Sequence, residues 1–207
     1  MVISFLASFQ NLKMLGVILC GGESSRMKAD KGLIHFQDKT WTQIAIEKIE
    51  ELGIPVVVSI SRRQKEKYER LLFENTLIFD DPTIALQGPV AAVLNVHLKY
   101  PADDLFVLAC DLPLMEFSLL DELYRFYVIK NLFQAFVYTS NGEPEPLCGI
   151  YTARGLALIY NMYYTHTLEK HSMKYILGQL SVYNMPIPEN KKRCFRNFNS
   201  PEDVFLF

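Results

Sequence analysis

No stretch of 18 apolar residues occurs in this 207-residue sequence, which excludes a membrane-spanning helix. The four cysteines, Cys20, Cys110, Cys148 and Cys194, lie far apart and form no C-x-x-C pair, which argues against a structural zinc site and for a reducing, cytoplasmic location. His35, His97 and His166 are scattered without the spacing of metal ligands. With 21 basic and 23 acidic side chains the net charge is −2, so there is no basic excess to suggest a nucleic-acid surface. Two familiar phosphate loops are missing as well. The dinucleotide fingerprint G-x-G-x-x-G is not met by the adjacent glycines Gly21 and Gly22, and no Gly-Lys-Ser/Thr of a P-loop occurs anywhere. Residues 1–13 hold an apolar patch but neither a basic n-region nor an A-x-A cleavage site, so they do not read as a signal peptide. Met14 stands directly before the first strand, and residues 1–14 are therefore expected to be a dispensable extension of a domain spanning 15–207.

Half of the chain is apolar, enough for one α/β domain with a sizeable core. Its most informative stretch starts at residue 15. The continuous apolar run 15–20 suits a central parallel strand covered on both faces, and it empties into Gly21-Gly22. Two unhindered N–H groups at a strand's carboxyl end can form an anion-binding concavity, and open α/β sheets place ligands at that end. Arg26 and Lys31 come next, within reach of phosphates.

The rest of the chain alternates strand and helix. A short apolar link covers 32–36, Thr40 is placed to cap a helix over 41–52 that ends at Gly53, and 56–60 is a second strand with Ser59 near its carboxyl end. A helix over 64–73, a strand over 76–79, a helix over 90–99 with Pro89 at its first position and a fourth, central strand over 105–110 come after it. Beyond residue 115 the pattern predicts a helix over 116–128, strands over 135–139 and 147–151 joined by the Asn141-Gly142 turn, helices over 154–164 and 172–180, and extended segments over 182–185 and 194–198. The prolines at 144 and 146 fit an edge or an entry loop before the strand at 147. Ser200-Pro201 is placed to start a closing helix. The expected fold is α/β, one doubly wound, Rossmann-like and mostly parallel sheet with helices on both faces.

Two acidic segments close parallel strands. Asp111 lies just past the strand 105–110, and a carboxylate at the tip of a central strand points at the ligand crevice. A phosphorylated ligand at this edge would need a cradle for its phosphates and cations to offset their charge. Gly21 and Gly22 offer the cradle, Arg26 and Lys31 the cations, and Asp111 is a natural Mg²⁺ ligand, because this ion is held by one or two carboxylates together with phosphates and water. The alternative for Asp111 is a helix cap.

Leu19-Cys20-Gly21-Gly22-x-Ser24-x-Arg26-Met27-x-x-Asp30-Lys31 resembles the L-A-G-G-x-S-x-R-M-G-x-D-K signature of the nucleotidyltransferases that include molybdenum cofactor guanylyltransferase, with Cys20 in place of a usual Ala and Lys28 in place of a usual Gly. Cys110-Asp111-Leu112-Pro113 is similar to that family's C-D-x-P segment, whose Asp binds the metal. Asp80-Asp81-Pro82 with Gly88-Pro89-Val90-Ala91 is similar to its second nucleotide segment, where Ala92 replaces a Gly. Asp81 matches the nucleotide-binding Asp of that segment, and a carboxylate is a fit partner for guanine N1–H and N2–H₂, although an Asx turn is the competing reading. Ser59 stands where many members carry Asn. Asn197-x-Asn199-Ser200-Pro201-Glu202 resembles the N-x-N-T-P-E segment, whose two Asn residues either face the acceptor or fix the turn. Lys170, His171 and Lys174 fit a solvated helix face better than an acceptor-phosphate site.

The resemblance implies a nucleotide-diphospho-sugar transferase-like fold and transfer of GMP from GTP to the phosphate of the molybdenum-bound molybdopterin cofactor, with Mg²⁺ and release of pyrophosphate. It implies GTP and the molybdopterin-type cofactor as substrates, and transient contact with cofactor-delivering or molybdoenzyme-maturation proteins. It assigns nucleotide binding to Leu19, Cys20, Gly21, Gly22, Lys31, Ser59, Asp81, Gly88 and Asp111, catalysis to Arg26, Lys31 and Asp111, and the acceptor side to Asn197 and Asn199. The rival readings are the same chemistry with CTP or a sugar-phosphate acceptor, and a nucleotide-binding regulator without catalysis.

Overall fold

A computed structural model describes residues 13–21 and 30–198. Gly22, Arg26 and Asn199, together with the helix expected from Ser200, lie outside the described residues. Nine strands are present among them: β1 (Met14–Leu19), β2 (His35–Phe36), β3 (Lys39–Thr40), β4 (Val56–Ile60), β5 (Leu77–Phe79), β6 (Asp104–Ala109), β7 (Ala135–Ser140), β8 (Glu143–Tyr151) and β9 (Val182–Pro186). Six α-helices accompany them: α1 (Trp41–Glu50), α2 (Lys65–Glu69), α3 (Pro89–Lys99), α4 (Phe117–Ile129), α5 (Ala153–Tyr164) and α6 (Met173–Leu177).

Seven strands form one sheet in the order β5-β4-β1-β6-β8-β7-β9, while β2 and β3 make a small hairpin of their own. The first four are mutually parallel, β8 runs antiparallel to both β6 and β7, and β9 is parallel to β7. Apolar residues of β1 and β6 divide between the two faces as the two-residue period of a strand requires. Ile18, Phe106 and Leu108 face Ile49 of α1, Tyr68 of α2 and Leu120 of α4 on one side. Val17, Leu105 and Val107 face Val93 of α3, Ile159 of α5 and Ile176 of α6 on the other. The doubly wound, mostly parallel architecture expected from the alternation is therefore the one observed.

Local chemistry accounts for several boundaries. Thr40 caps α1 with its hydroxyl accepting from Gln43 N at 3.2 Å, while Gln43 Oε1 accepts from Thr40 N at 2.9 Å, a reciprocal capping box. Pro89 opens α3 behind Gly88, whose φ of +72° is a conformation that L side chains rarely adopt.

Five expectations need correction. Met14, counted with the extension, is the first residue of β1, where it is buried in the core and in register with Asp104. The link 32–36 is a 3₁₀ turn, Lys31–Leu33, running into β2. The helix expected over 64–73 stops at Glu69, where the bonding tightens as Leu71 N reaches Tyr68 O three residues back at 2.9 Å, and the chain returns to β5. β8 starts at Glu143 and runs through both prolines. Its proline-bearing half pairs with β7 alone, past a register shift at Val137/Tyr138, so the missing N–H groups break no ladder on the β6 side. The segment 194–198 begins inside a 3₁₀ helix, Glu189–Phe195, drawn against α4 by contacts of Lys191 and Arg193 with Glu116.

Candidate active site

The carboxyl ends of β4, β1 and β6 lie side by side. Leu19 is in register with Ser59 on one flank and Ala109 on the other. The ladder continues one residue further, with Cys20 N donating to Ser59 O at 3.0 Å and Cys110 N donating to Leu19 O at 3.2 Å. Leu19, Cys20, Ser59, Cys110 and Asp111 are thereby collected at the end of an α/β sheet where ligands bind. Ser59 itself is only 1% exposed. Gly21, the next residue of β1's exit, is exposed, and the atom nearest to a Cβ placed on it would be Ser61 N at 3.9 Å, so the loop start is open.

Lys31 reaches this edge from the 3₁₀ turn and donates to Asp111 Oδ2 at 3.0 Å, a contact across 80 positions of sequence. Asp30 caps that turn, with its Oδ1 accepting from Gly32 N at 3.2 Å. Gly32 sits against the Tyr68 and Thr42 hydroxyls so closely that a side chain there would collide with both, and Thr42 Oγ1 donates to Gly32 O at 2.8 Å. The second carboxylate oxygen of Asp111, Oδ1, is buried and has no hydrogen-bond partner among the described residues. An unpartnered, desolvated anionic oxygen is costly unless a ligand completes it. A divalent cation held also by substrate phosphates and water fits that donor set, and no cluster of three or more potential metal ligands exists among the described residues to form a cage without substrate.

Asp111 O accepts from Phe198 N at 3.1 Å, and the Phe198 ring packs edge-on against the buried Trp41, with centroids 5.7 Å apart. Asn197 is thus brought beside the Asp111 segment. Asp81 and Gly88 stand on the loop after β5, at the same end of the sheet. The Asp81 carboxylate accepts at Oδ1 from Thr83 N at 2.8 Å and Thr83 Oγ1 at 2.7 Å, the geometry of an Asx turn. Those two bonds, with Arg62 nearby, hold its carboxyl below the usual carboxylate range. Burial pushes neighbouring Asp80 up.

Residues beyond those expected also shape the site. Gln64 and Tyr68 both bond Asp30, and Lys48 donates to Pro113 O at 2.8 Å. Burial lowers the Lys48 ammonium to about 8. The Ser61-x-x-Gln64 spacing of a capping box was the available signal for Gln64. Lys48 carried none, since nothing local in its helix predicts that its far end will be buried. The Cys110 thiol is pushed well up by its contact with Cys20 and by burial, so it stays protonated and is no nucleophile. Among the described residues the site offers an ammonium, an anionic oxygen in want of a cation and an open loop start, which suits phosphate chemistry.

Comparison with known proteins bears on this geometry. Residues 16–181 match the MobA-like NTP transferase domain. A probable molybdenum cofactor guanylyltransferase of Flavobacterium johnsoniae is 30% identical over 190 residues, 90% of this chain and 92% of that protein. The molybdenum cofactor guanylyltransferase of Pseudomonas entomophila is 29% identical over 187 residues, 90% of this chain and 93% of that one. Among solved structures, molybdopterin-guanine dinucleotide biosynthesis protein A from Archaeoglobus fulgidus superposes with a TM-score of 0.74 at 20% identity, covering 93% of this chain and 96% of that chain. A 4-diphosphocytidyl-2C-methyl-D-erythritol synthase from Anaerococcus prevotii shares the fold at a TM-score of 0.66 and 10% identity, covering 97% of this chain and 96% of that one.

Proposed function

The chain belongs to the MobA-like NTP transferase family, and from that premise we propose that it transfers GMP from GTP to the phosphate of molybdenum-bound molybdopterin. The observation that carries the reading is the pairing of Lys31 Nζ with Asp111 Oδ2 at 3.0 Å, next to a buried Asp111 Oδ1 that lacks a partner among the described residues. A phosphate oxygen of the acceptor attacks the α-phosphorus, the bond to the β-phosphate oxygen breaks, and pyrophosphate leaves. Lys31 neutralises phosphate charge, Gly21 presents its backbone to the triphosphate, and Cys20, whose N–H is held by Ser59 O and whose carbonyl is held by Gln64, fixes the strand end beside it. Leu19 and Ser59 floor the nucleotide site. Asp81 reads the guanine N1–H and N2–H₂ edge, and Gly88 lets the chain pass close to the nucleotide before α3 begins. Asn197 lies on the acceptor side. Asp111 would hold Mg²⁺ as the divalent ion, which when bound would supply positive charge against the developing pyrophosphate.

Pyrophosphate release from GTP and from CTP, each with molybdopterin as acceptor, tests the proposal. GTP is expected to be used with kcat/KM at least about tenfold higher than CTP, the discrimination that one or two hydrogen bonds to the base provide. A preference for CTP, or GTP binding without turnover, would overturn it.

A further inference from the structure

Cys20 and Asp30 flank the segment that joins β1 to Lys31, and one side chain from another element touches both. Gln64 Nε2 donates to Cys20 O at 2.9 Å and to Asp30 Oδ2 at 2.6 Å. The other atom of the carboxamide faces the opposite way, with Oε1 accepting from Ser61 N and Ser61 Oγ, both at 2.8 Å. This orientation is dictated by the neighbours, because a carbonyl and a carboxylate can only accept and a backbone N–H can only donate. Tyr68, one helical turn later and fully buried, donates its hydroxyl to Asp30 Oδ1 at 3.0 Å. Asp30 in turn caps the 3₁₀ turn that carries Lys31.

We propose that Gln64 is a positioning residue for nucleotide binding: its carboxamide nitrogen ties the strand end at Cys20 to the turn at Asp30, and so sets both Gly21 and Lys31 where the triphosphate binds. The proposal rests on the reading of Gly21 and Lys31 as phosphate ligands. A helix cap alone would require only the oxygen, which Ser61 already occupies. The nitrogen is turned instead toward a charged partner that belongs to the Lys31 turn, and a hydrogen bond to an ionised acceptor is among the stronger kinds.

The two functions of the amide can be separated. Gln64→Glu keeps an oxygen for Ser61, and so keeps the helix start, but turns a second acceptor on Asp30 and Cys20. Asp30→Asn alone opposes two donors. Combined in one chain the two substitutions restore the bond to residue 30 with reversed polarity, while the asparagine oxygen still accepts from Gly32 N and Tyr68; the bond to Cys20 O stays lost, because a glutamate oxygen cannot donate to a carbonyl. Each single variant is expected to raise KM for GTP by about tenfold with kcat changed by less than about threefold, and the double variant to lower KM again to about threefold above wild type, the remainder reflecting the lost bond to Cys20 O. An unchanged KM in Gln64→Glu, a double variant as poor as the product of the singles, or a KM defect that tracks melting temperature across all three would each overturn the proposal. Wild-type KM is measured first with GTP and with CTP. Failure to use GTP counts against the guanylyl reading alone, and the same variant series is then run with CTP.

Discussion

Asp111 and Asp81 each stand past the end of a parallel strand at the same edge of the sheet, and their surroundings differ in almost every respect. Asp111 closes the central strand β6, pairs with a lysine 80 positions away and keeps one buried oxygen unpartnered among the described residues. Asp81 comes after the edge strand β5, is exposed, and spends one oxygen on the N–H and hydroxyl of Thr83 two residues on. A central strand buries the residues at its exit, and a buried anion needs a partner from elsewhere in the fold or from a ligand. An edge strand releases its loop to water, where an aspartate satisfies itself locally. On the function proposed above, the first residue carries chemistry and the second recognition, since charge stabilisation is strong only where water is displaced.

The largest expected effect comes from removing the charge at the buried site. Asp111→Asn preserves shape and still accepts from Lys31, so the fold and its melting temperature should survive. The metal ligand is lost, and its contribution is made mainly as pyrophosphate departs. Pyrophosphate release at saturating GTP should fall by roughly a thousandfold, several kcal/mol of transition-state stabilisation, with GTP affinity much less affected. The helix-cap alternative does not hold, since the next helix starts at Phe117 behind Glu116; if turnover stays near wild type, Asp111 serves only to hold Lys31, for which Asn is an adequate acceptor, and the contrast with Asp81 disappears.

At the exposed site the same substitution should act on choice of base instead of on rate. Asn keeps an oxygen for Thr83, so the turn holds, but it cannot offer an anion to two donors of guanine. Asp81→Asn is expected to lower kcat/KM for GTP relative to CTP by about tenfold, while kcat at saturating GTP changes little. Competition between the two nucleotides in one assay reads this ratio directly. A ratio equal to that of wild type would reduce Asp81 to its Asx turn.

The two aspartates also mark how far the sequence could be read. Gly21, Lys31 and Asp111 were legible because each sits on or near a strand exit, where local composition and ligand geometry coincide. Asp81 was legible with two meanings, and the structure displays the turn without removing the other. Partnerships without a local signature stayed hidden. Asp30 draws its ligands from Gln64 and Tyr68, 34 and 38 positions on, and only the packing of α2 against β1's exit brings them together. The length of β8 was hidden for a different reason: Pro144 and Pro146 argue against a strand, unless one flank of that strand has no neighbour. The 3₁₀ course of Glu189–Phe195 comes from its attachment to Glu116, a contact across 75 to 78 positions that no periodicity announces.

Lys48 offers the smallest effect and the most direct measure of how dry the Asp111 end is. Its ammonium donates to Pro113 O, two residues beyond Asp111, and burial lowers it from 10.5 to about 8 although Cys194 and Glu116 act in the opposite direction. In the unfolded chain the lysine is protonated up to about pH 10.5, whereas in the folded chain it loses its proton near pH 8. Between those values the unfolded state binds more protons, so this residue's contribution to stability increases as pH rises. Lys48→Met keeps most of the apolar stem and has no proton to lose. The unfolding free energy of wild type minus that of Lys48→Met should therefore increase by about 1 kcal/mol between about pH 8 and about pH 9, measured by urea denaturation at each pH. Taking the difference cancels the thiols and phenols that titrate in the same range in both proteins. Parallel curves over that window would mean that Lys48 is solvated, that the crevice beside Asp111 is wetter than its buried oxygen implies, and that the two aspartates are more alike than their surroundings suggest.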